Sequence, residues 1–105
     1  ISKRNIFPVV DEHKQLRGII TLDDIREIMF DIEKQVSTPI HQLMHSPPEI
    51  LLVTENMQSA MVKFEKSGAW NLPVINNGQY IGFVSKSRIF NTYRKRLLRQ
   101  KQDLG

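Results

Sequence analysis

Apolar and polar positions fall into two blocks that repeat one another along this chain. Ile6 to Val10 is a short apolar run, Asp11 to Gln15 is polar, and Leu16 to Ile20 is apolar again around Gly18. Short apolar runs separated by a polar turn predict a β-hairpin. Further on, Leu72-Pro73-Val74-Ile75, the turn Asn76-Asn77-Gly78 and the run Tyr80 to Val84 predict a second one. Asn-Gly is the stronger turn signal, because both residues tolerate positive φ. Each second strand ends in a hydroxyl residue, Thr21 or Ser85, followed by a helical pattern.

After Thr21, residues Ile25, Ile28, Met29 and Ile32 recur at helical spacing and predict one amphipathic helix that fades near Gln35 to Thr38. Thr21-x-x-Asp24 reads as a capping box with Asp in place of Glu. Pro39 suits the first turn of a short helix carrying Ile40, Leu43 and Met44, stopped by Ser46-Pro47-Pro48. Ile50 to Val53 predicts a strand. Thr54 is the expected cap of a helix with Met57, Ala60, Met61 and Phe64 on one face, and Gly68 is its expected left-handed terminus. The last helix follows Ser85, with Ile89, Phe90, Tyr93 and Leu97 as its apolar face, and runs into the polar tail Arg99 to Gly105.

The fold class is therefore α+β, built from two similar half-modules. The second is a complete strand-helix-strand-strand-helix unit, whereas the first has only strand-strand-helix. Its opening strand and helix are expected upstream of Ile1. The first half should then expose apolar surface, to be covered by upstream residues or by a second copy of the chain. The expected divisions are 1–36, the C-terminal part of the first unit, 37–98, the second unit, and 99–105, a basic polar tail.

At 105 residues the chain has room for one domain or two small halves sharing a core. It has no cysteine, which removes disulfides, zinc-thiolate sites and cysteine nucleophiles. No apolar run approaches a membrane span, and no signal peptide is visible. Ile1 is not an initiator Met, so a piece of a larger protein is expected. The net charge of +4 owes much to Arg94, Lys95, Arg96, Arg99 and Lys101. Such a cluster suits a solvated helix C-terminus; without interleaved aromatics it does not point to nucleic acid.

The doubled pattern, Phe7-Pro8-Val9-Val10 with Gly18-Ile19-Ile20-Thr21-x-x-Asp24 and its second copy, resembles a pair of CBS domains, the modules named after cystathionine β-synthase. The resemblance implies tandem β-α-β-β-α units, the first truncated at its N-terminus, that form a homodimer through their helices. Ser2 to Val10, Ile20 to Arg26 and Ser87 to Arg94 are similar to the cytosolic tail of bacterial ClC-type chloride channels and transporters. That resemblance implies a regulatory module that partners a membrane domain at the cytoplasmic face of the bacterial inner membrane, the fragment itself being soluble. The alternatives are a structural dimerisation module with no nucleotide, or the CBS pair of another transporter or an enzyme.

The resemblance implies that a cleft between the paired domains can hold an adenine nucleotide, AMP, ADP or ATP, as a regulatory ligand. By position, the Thr21 hydroxyl would meet a phosphate and the Asp24 carboxylate would accept hydrogen bonds from both ribose hydroxyls. Leu52, Val53, Ala69 and Trp70 would supply the slot for the base. Thr21 and Asp24 are equally intelligible as a capping pair with no ligand. In the second copy Ser85 keeps the hydroxyl but Arg88 stands where the carboxylate should be, and a guanidinium accepts no hydrogen bond; loss of that cleft is expected, the alternative being a phosphate held by Arg88 and Lys86. His41 and His45 have a metal-compatible spacing but no third ligand, so no metal is expected. Asp23-Asp24 and Asp11-Glu12 do not form acid/base dyads, since neighbouring helical residues point apart. The four methionines read as core filler. No nucleophile-base-orienter set can be assembled, so the chain does not read as an enzyme.

Overall fold

A computed structural model of the chain describes residues 6–26 and 28–104. The stretch Ser2 to Asn5, part of the sequence resemblance, lies outside the described residues. Strands β1 (Ile6–Val10) and β2 (Leu16–Thr21) form the first hairpin. Its turn is built by Asp11, whose carboxylate accepts the main-chain N–H groups of His13 at 2.8 Å and Gln15 at 3.0 Å. Lys14 takes φ 63° to close it.

Helix α1 (Leu22–Arg26) follows directly, but the single helix expected to reach Ile32 is not formed. Residues 28–30 are turns, and a separate helix α2 spans Ile32–Ser37. The turns close through Ile28 N–H to the Ile25 carbonyl at 3.1 Å and Asp31 N–H to the Ile28 carbonyl at 3.2 Å. The Gln35 side-chain amide then donates to the carbonyls of Ile28, at 2.9 Å, and Met29, at 2.6 Å, taking up groups a continuous helix would have used. The physical reason lies in burial. Phe30 is 90% exposed, Ile32 76% and Val36 84%, so no packing rewards a straight amphipathic helix here. Helix α3 (Ile40–Leu43) comes next; Pro39, expected in its first turn, is the extended residue that caps it.

The second half is complete. Strand β3 (Leu51–Leu52) runs parallel to β4 (Asn71–Asn76), which pairs antiparallel with β5 (Gln79–Ser85). The β4–β5 turn is Asn77-Gly78, with φ 51° and 82°, the geometry that favours those residue types. Helix α4 (Met57–Ser67) lies between β3 and β4 in the chain. Its cap is Asn56 rather than Thr54: the Asn56 side chain accepts from Ser59 N–H at 2.8 Å. Thr54 is displaced because Glu55, one residue on, is bound to its surroundings. Its carboxylate accepts Leu52 N–H at 3.0 Å, the Ser59 hydroxyl and the Lys63 ammonium at 2.9 Å. Gly68 ends α4 at φ 69°. Helix α5 (Lys86–Leu104) continues through the basic tail, and every residue from Arg94 to Gln100 is exposed.

The repeat extends to the irregularities. Pro8 pairs with Ile19 and Val9 with Gly18, and the register then slips before Val10 meets Leu16. Pro73 pairs with Phe83 and Val74 with Gly82, and the register slips at the matching place before Ile75 meets Tyr80. Arg17 and Ile81 are the extra residues of two equivalent bulges.

The main buried cluster belongs to the second half, while Ile19 and Ile20 of β2 are also buried. Phe64 and Leu72 are fully buried and pack with Leu51 and Ala60, flanked by Val74, Val84 and Ile89. The equivalent sheet face of the first half instead borders an open apolar groove of about 410 Å³ with Phe7, Ile20, Ile25, Ile28 and Leu43 on its walls. The halves meet where Tyr80 N–H donates to the Lys14 carbonyl at 2.9 Å. Because one cluster carries the packing, Phe64→Ala should destabilise the chain by about 3–5 kcal/mol, read as a lower urea midpoint.

Candidate ligand-binding site

Thr21 is the last residue of β2, and Asp24 follows in the first turn of α1. The carboxylate folds back on the strand end. Its Oδ2 accepts the Thr21 main-chain N–H at 2.6 Å and the Thr21 hydroxyl at 2.9 Å. This is the carboxylate half of a capping box. A third donor reaches the same oxygen: Nε2 of His45 lies 2.6 Å away. Nothing in the local pattern announces this partner, 21 residues further along the chain.

His45 is brought there by the main chain. Ile19 N–H donates to the His45 carbonyl at 2.8 Å, and His45 N–H donates to the Ile19 carbonyl at 3.0 Å. The residues after α3 thus lie along the free edge of β2. Their approach needs Gly18: a Cβ there would meet the His45 carbonyl oxygen at 3.1 Å and the Met44 sulfur at 3.2 Å. Gly82, its repeat counterpart, has nothing within 4 Å.

The other residues expected at a nucleotide cleft lie in separate surroundings. Leu52 and Val53 are half-exposed and line a groove of about 400 Å³ with Met57, Ala60, Ile89 and Arg96, a groove whose walls include neither Thr21 nor Asp24. Ala69 packs against the core cluster. Trp70 is 51% exposed, with the Lys86 ammonium 5.6 Å from its ring centre, a cation–π contact that Lys86 also makes with Phe90. Lys86 N–H donates to the Trp70 carbonyl at 2.8 Å, so Trp70 is tied to the start of α5. A different cleft, of about 370 Å³, is shared by the halves: Leu16, Arg17 and Gly18 face Ser46, Pro47, Ile50, Ile75 and Gly78 across it.

At the start of α5, Ser85 Oγ accepts Arg88 N–H at 3.2 Å, an ordinary helix cap. Arg88 is exposed and brings no acceptor. The repeat has therefore kept the hydroxyl at the start of both α1 and α5, and the carboxylate only at α1.

Partial burial opposes the charge on Asp24, but the bonds from Thr21 N–H, His45 and the Thr21 hydroxyl outweigh it and hold the carboxyl below its ordinary 3.8. Glu55 behaves alike: burial is outweighed by Ser59, Leu52 N–H and Lys63, and the carboxyl lies below 4.5. Both groups bind protons more readily unfolded than folded. Each carboxylate's stabilisation is fully present above its unfolded value, 3.8 for Asp24 and 4.5 for Glu55, and is lost as pH falls through its lower folded value. Asp24→Asn should cost about 1 kcal/mol at neutral pH, the worth of a cap. It should also flatten the acid limb of a plot of thermal midpoint against pH.

Comparison with known proteins follows the same lines as the geometry. The chain matches the CBS domain over residues 2–31 and 40–95. No curated protein sequence matches it. Among solved structures, CBSX2 in complex with AMP is similar at TM-score 0.66 and 21% identity, over 89% of this chain and 73% of that one. The CBS domain pair of protein MJ0100, in complex with 5′-methylthioadenosine and S-adenosyl-L-methionine, is similar at TM-score 0.63 and 26% identity, over 88% and 72%. A CBS domain pair/ACT domain protein from Thermotoga maritima is similar at TM-score 0.69 and 19% identity, over 89% and 73%. With two equivalent hairpin-helix units, matching bulges and a family match across both halves, the chain belongs to the CBS domain family and has the tandem CBS fold.

Proposed function

We propose that this CBS pair is a nucleotide-responsive regulatory module of a ClC-type chloride transport protein. One observation carries the nucleotide part. At the start of α1 a hydroxyl and a carboxylate, Thr21 and Asp24, stand together in bonding contact, whereas the start of α5 has Arg88 in the carboxylate's place. A carboxylate can accept both hydroxyls of a ribose; a guanidinium can accept neither. The ligands named for CBSX2 and MJ0100 support this choice, since AMP, 5′-methylthioadenosine and S-adenosyl-L-methionine all contain an adenosine group. The ClC part rests on the sequence stretches around Phe7, Thr21 and Arg88. In this reading the pair dimerises through its helices and adjoins its membrane domain at the cytoplasmic face of the bacterial inner membrane. AMP, ADP or ATP would act as a regulatory ligand and not as a substrate.

A second reading, a dimerisation module with no ligand, is favoured by a different observation. Phe30, Ile32, Val36 and Ile40 are all more than half exposed, a surface that association would cover. Calorimetric titration with AMP, ADP and ATP separates the two. Saturable binding is expected, weakened about tenfold to a hundredfold in Asp24→Ala, equivalent to about 1–3 kcal/mol for a lost charged, partly buried acceptor. No heat from any of the three, in a folded dimer, would establish the dimerisation reading.

A further inference from the structure

We infer that His45 is an intramolecular latch on Asp24: its ring holds the carboxylate oxygen that a ribose diol would need, and a ligand must displace it to bind. The inference rests on the nucleotide reading of Thr21 and Asp24. Its basis is the number of donors at one atom. Oδ2 of Asp24 receives Thr21 N–H at 2.6 Å, the Thr21 hydroxyl at 2.9 Å and His45 Nε2 at 2.6 Å. That oxygen has no acceptor capacity left. A vicinal diol gripped by a carboxylate donates to both oxygens, so one of the three donors must leave.

His45 is the donor that can leave. Thr21 N–H belongs to the strand end that starts α1 and cannot turn away without undoing the first turn. The Thr21 hydroxyl can rotate, but the ligand needs it nearby. The His45 ring, by contrast, is 53% exposed while the Asp24 side chain is 20% exposed. Its main chain is held by the paired bonds to Ile19 at 2.8 and 3.0 Å, independently of what the ring does. Rotation of the side chain therefore frees Oδ2 and leaves the backbone pairing intact. The same pairing returns the ring to its place when the ligand departs.

The latch lowers affinity by the worth of the contact it makes. The partner is half exposed, so the effect is modest: removing the ring should tighten binding about fivefold, the scale of one partly solvated charge-assisted hydrogen bond. The main-chain bonds survive alanine, so His45→Ala should fold as the parent does. AMP, ADP and ATP are titrated in turn against the parent chain, His45→Ala and Asp24→Ala. Tighter binding to His45→Ala and loss of binding in Asp24→Ala are expected. In the parent, the His45 ring ¹⁵N resonances should move in proportion to saturation as the ring is released. Equal affinity of parent and His45→Ala, with Asp24→Ala still impaired, would leave the nucleotide site standing and overturn the latch. Weaker binding to His45→Ala would make the ring a ligand contact and also overturn it, as would ring resonances unmoved at saturation in the parent. No binding by any of the three proteins would remove the nucleotide reading and the latch with it.

Discussion

The paired main-chain bonds between Ile19 and His45 decide most of what is distinctive in this chain. They fasten the connection between the halves to the edge of β2, so the first sheet gains a partner beyond its own hairpin. Gly18 makes the approach possible, since a side chain at that position would press on the His45 carbonyl. The second fastening is at the opposite end of the hairpin, where Lys14 and His13 offer carbonyls to Tyr80 N–H and the Gln79 amide. Each such bond contributes only about 1 kcal/mol net. Their consequence is positional: the first half is gripped at both ends of one hairpin, and the imidazole of His45 is set against Asp24.

The two halves have diverged in opposite senses from a shared backbone plan. Their hairpins agree down to the bulge that follows Val9 and Val74. The second half has α4, with Phe64 and Leu72 at the centre of a closed core, yet its final helix starts with Arg88 in the carboxylate's place. The first half has the carboxylate, yet no described helix takes the place of α4 over its apolar sheet face, which borders the groove walled by Ile25 and Leu43. Stability and candidate chemistry are thus separated. Phe64 and its neighbours supply packing that the first half lacks, and the inter-half bonds pass that order to the Thr21–Asp24 turn.

Local order was the legible part. The hairpins could be placed because short apolar runs, a Pro-Val start and an Asn-Gly turn are properties of a few consecutive residues. The Gly68 terminus and the Thr21–Asp24 cap were legible for the same reason. The helix expected from Ile25 to Ile32 was not realised, because periodicity shows which side is apolar and not whether anything packs against it. Thr54 and Asn56 are both good caps; Asn56 prevails beside Glu55, whose bonds to Leu52 and Lys63 tie the residues before α4 to the helix itself. Asp24 was singled out from its own helix turn, but its third partner comes from beyond α3. Leu52, Val53, Ala69 and Trp70 were grouped by pseudo-symmetry, and the fold distributes them among a groove, the core and the Lys86 contact. No sequence pattern measures such distances.

Capping and ligand binding at Asp24 look like competing explanations, yet the geometry allows them to be linked. Helix α1 has five residues and gives way to turns at Ile28. A helix that short has little propagation energy of its own, so the bonds at its start count heavily. A ligand that drew on the Asp24 carboxylate would alter the cap of α1 and the hold on His45 together. The first change bears on the turns that lead to Phe30, Ile32 and Val36, and the second on the connection to the other half. A ligand shifts a conformational equilibrium only by as much as its contacts differ between the two states. Here the contacts that would differ are those at one carboxylate, and they adjoin both the exposed apolar segment and the link between the halves. The cap is then part of how a bound ligand could be felt, because the atom that would bind it is also the atom that organises the helix.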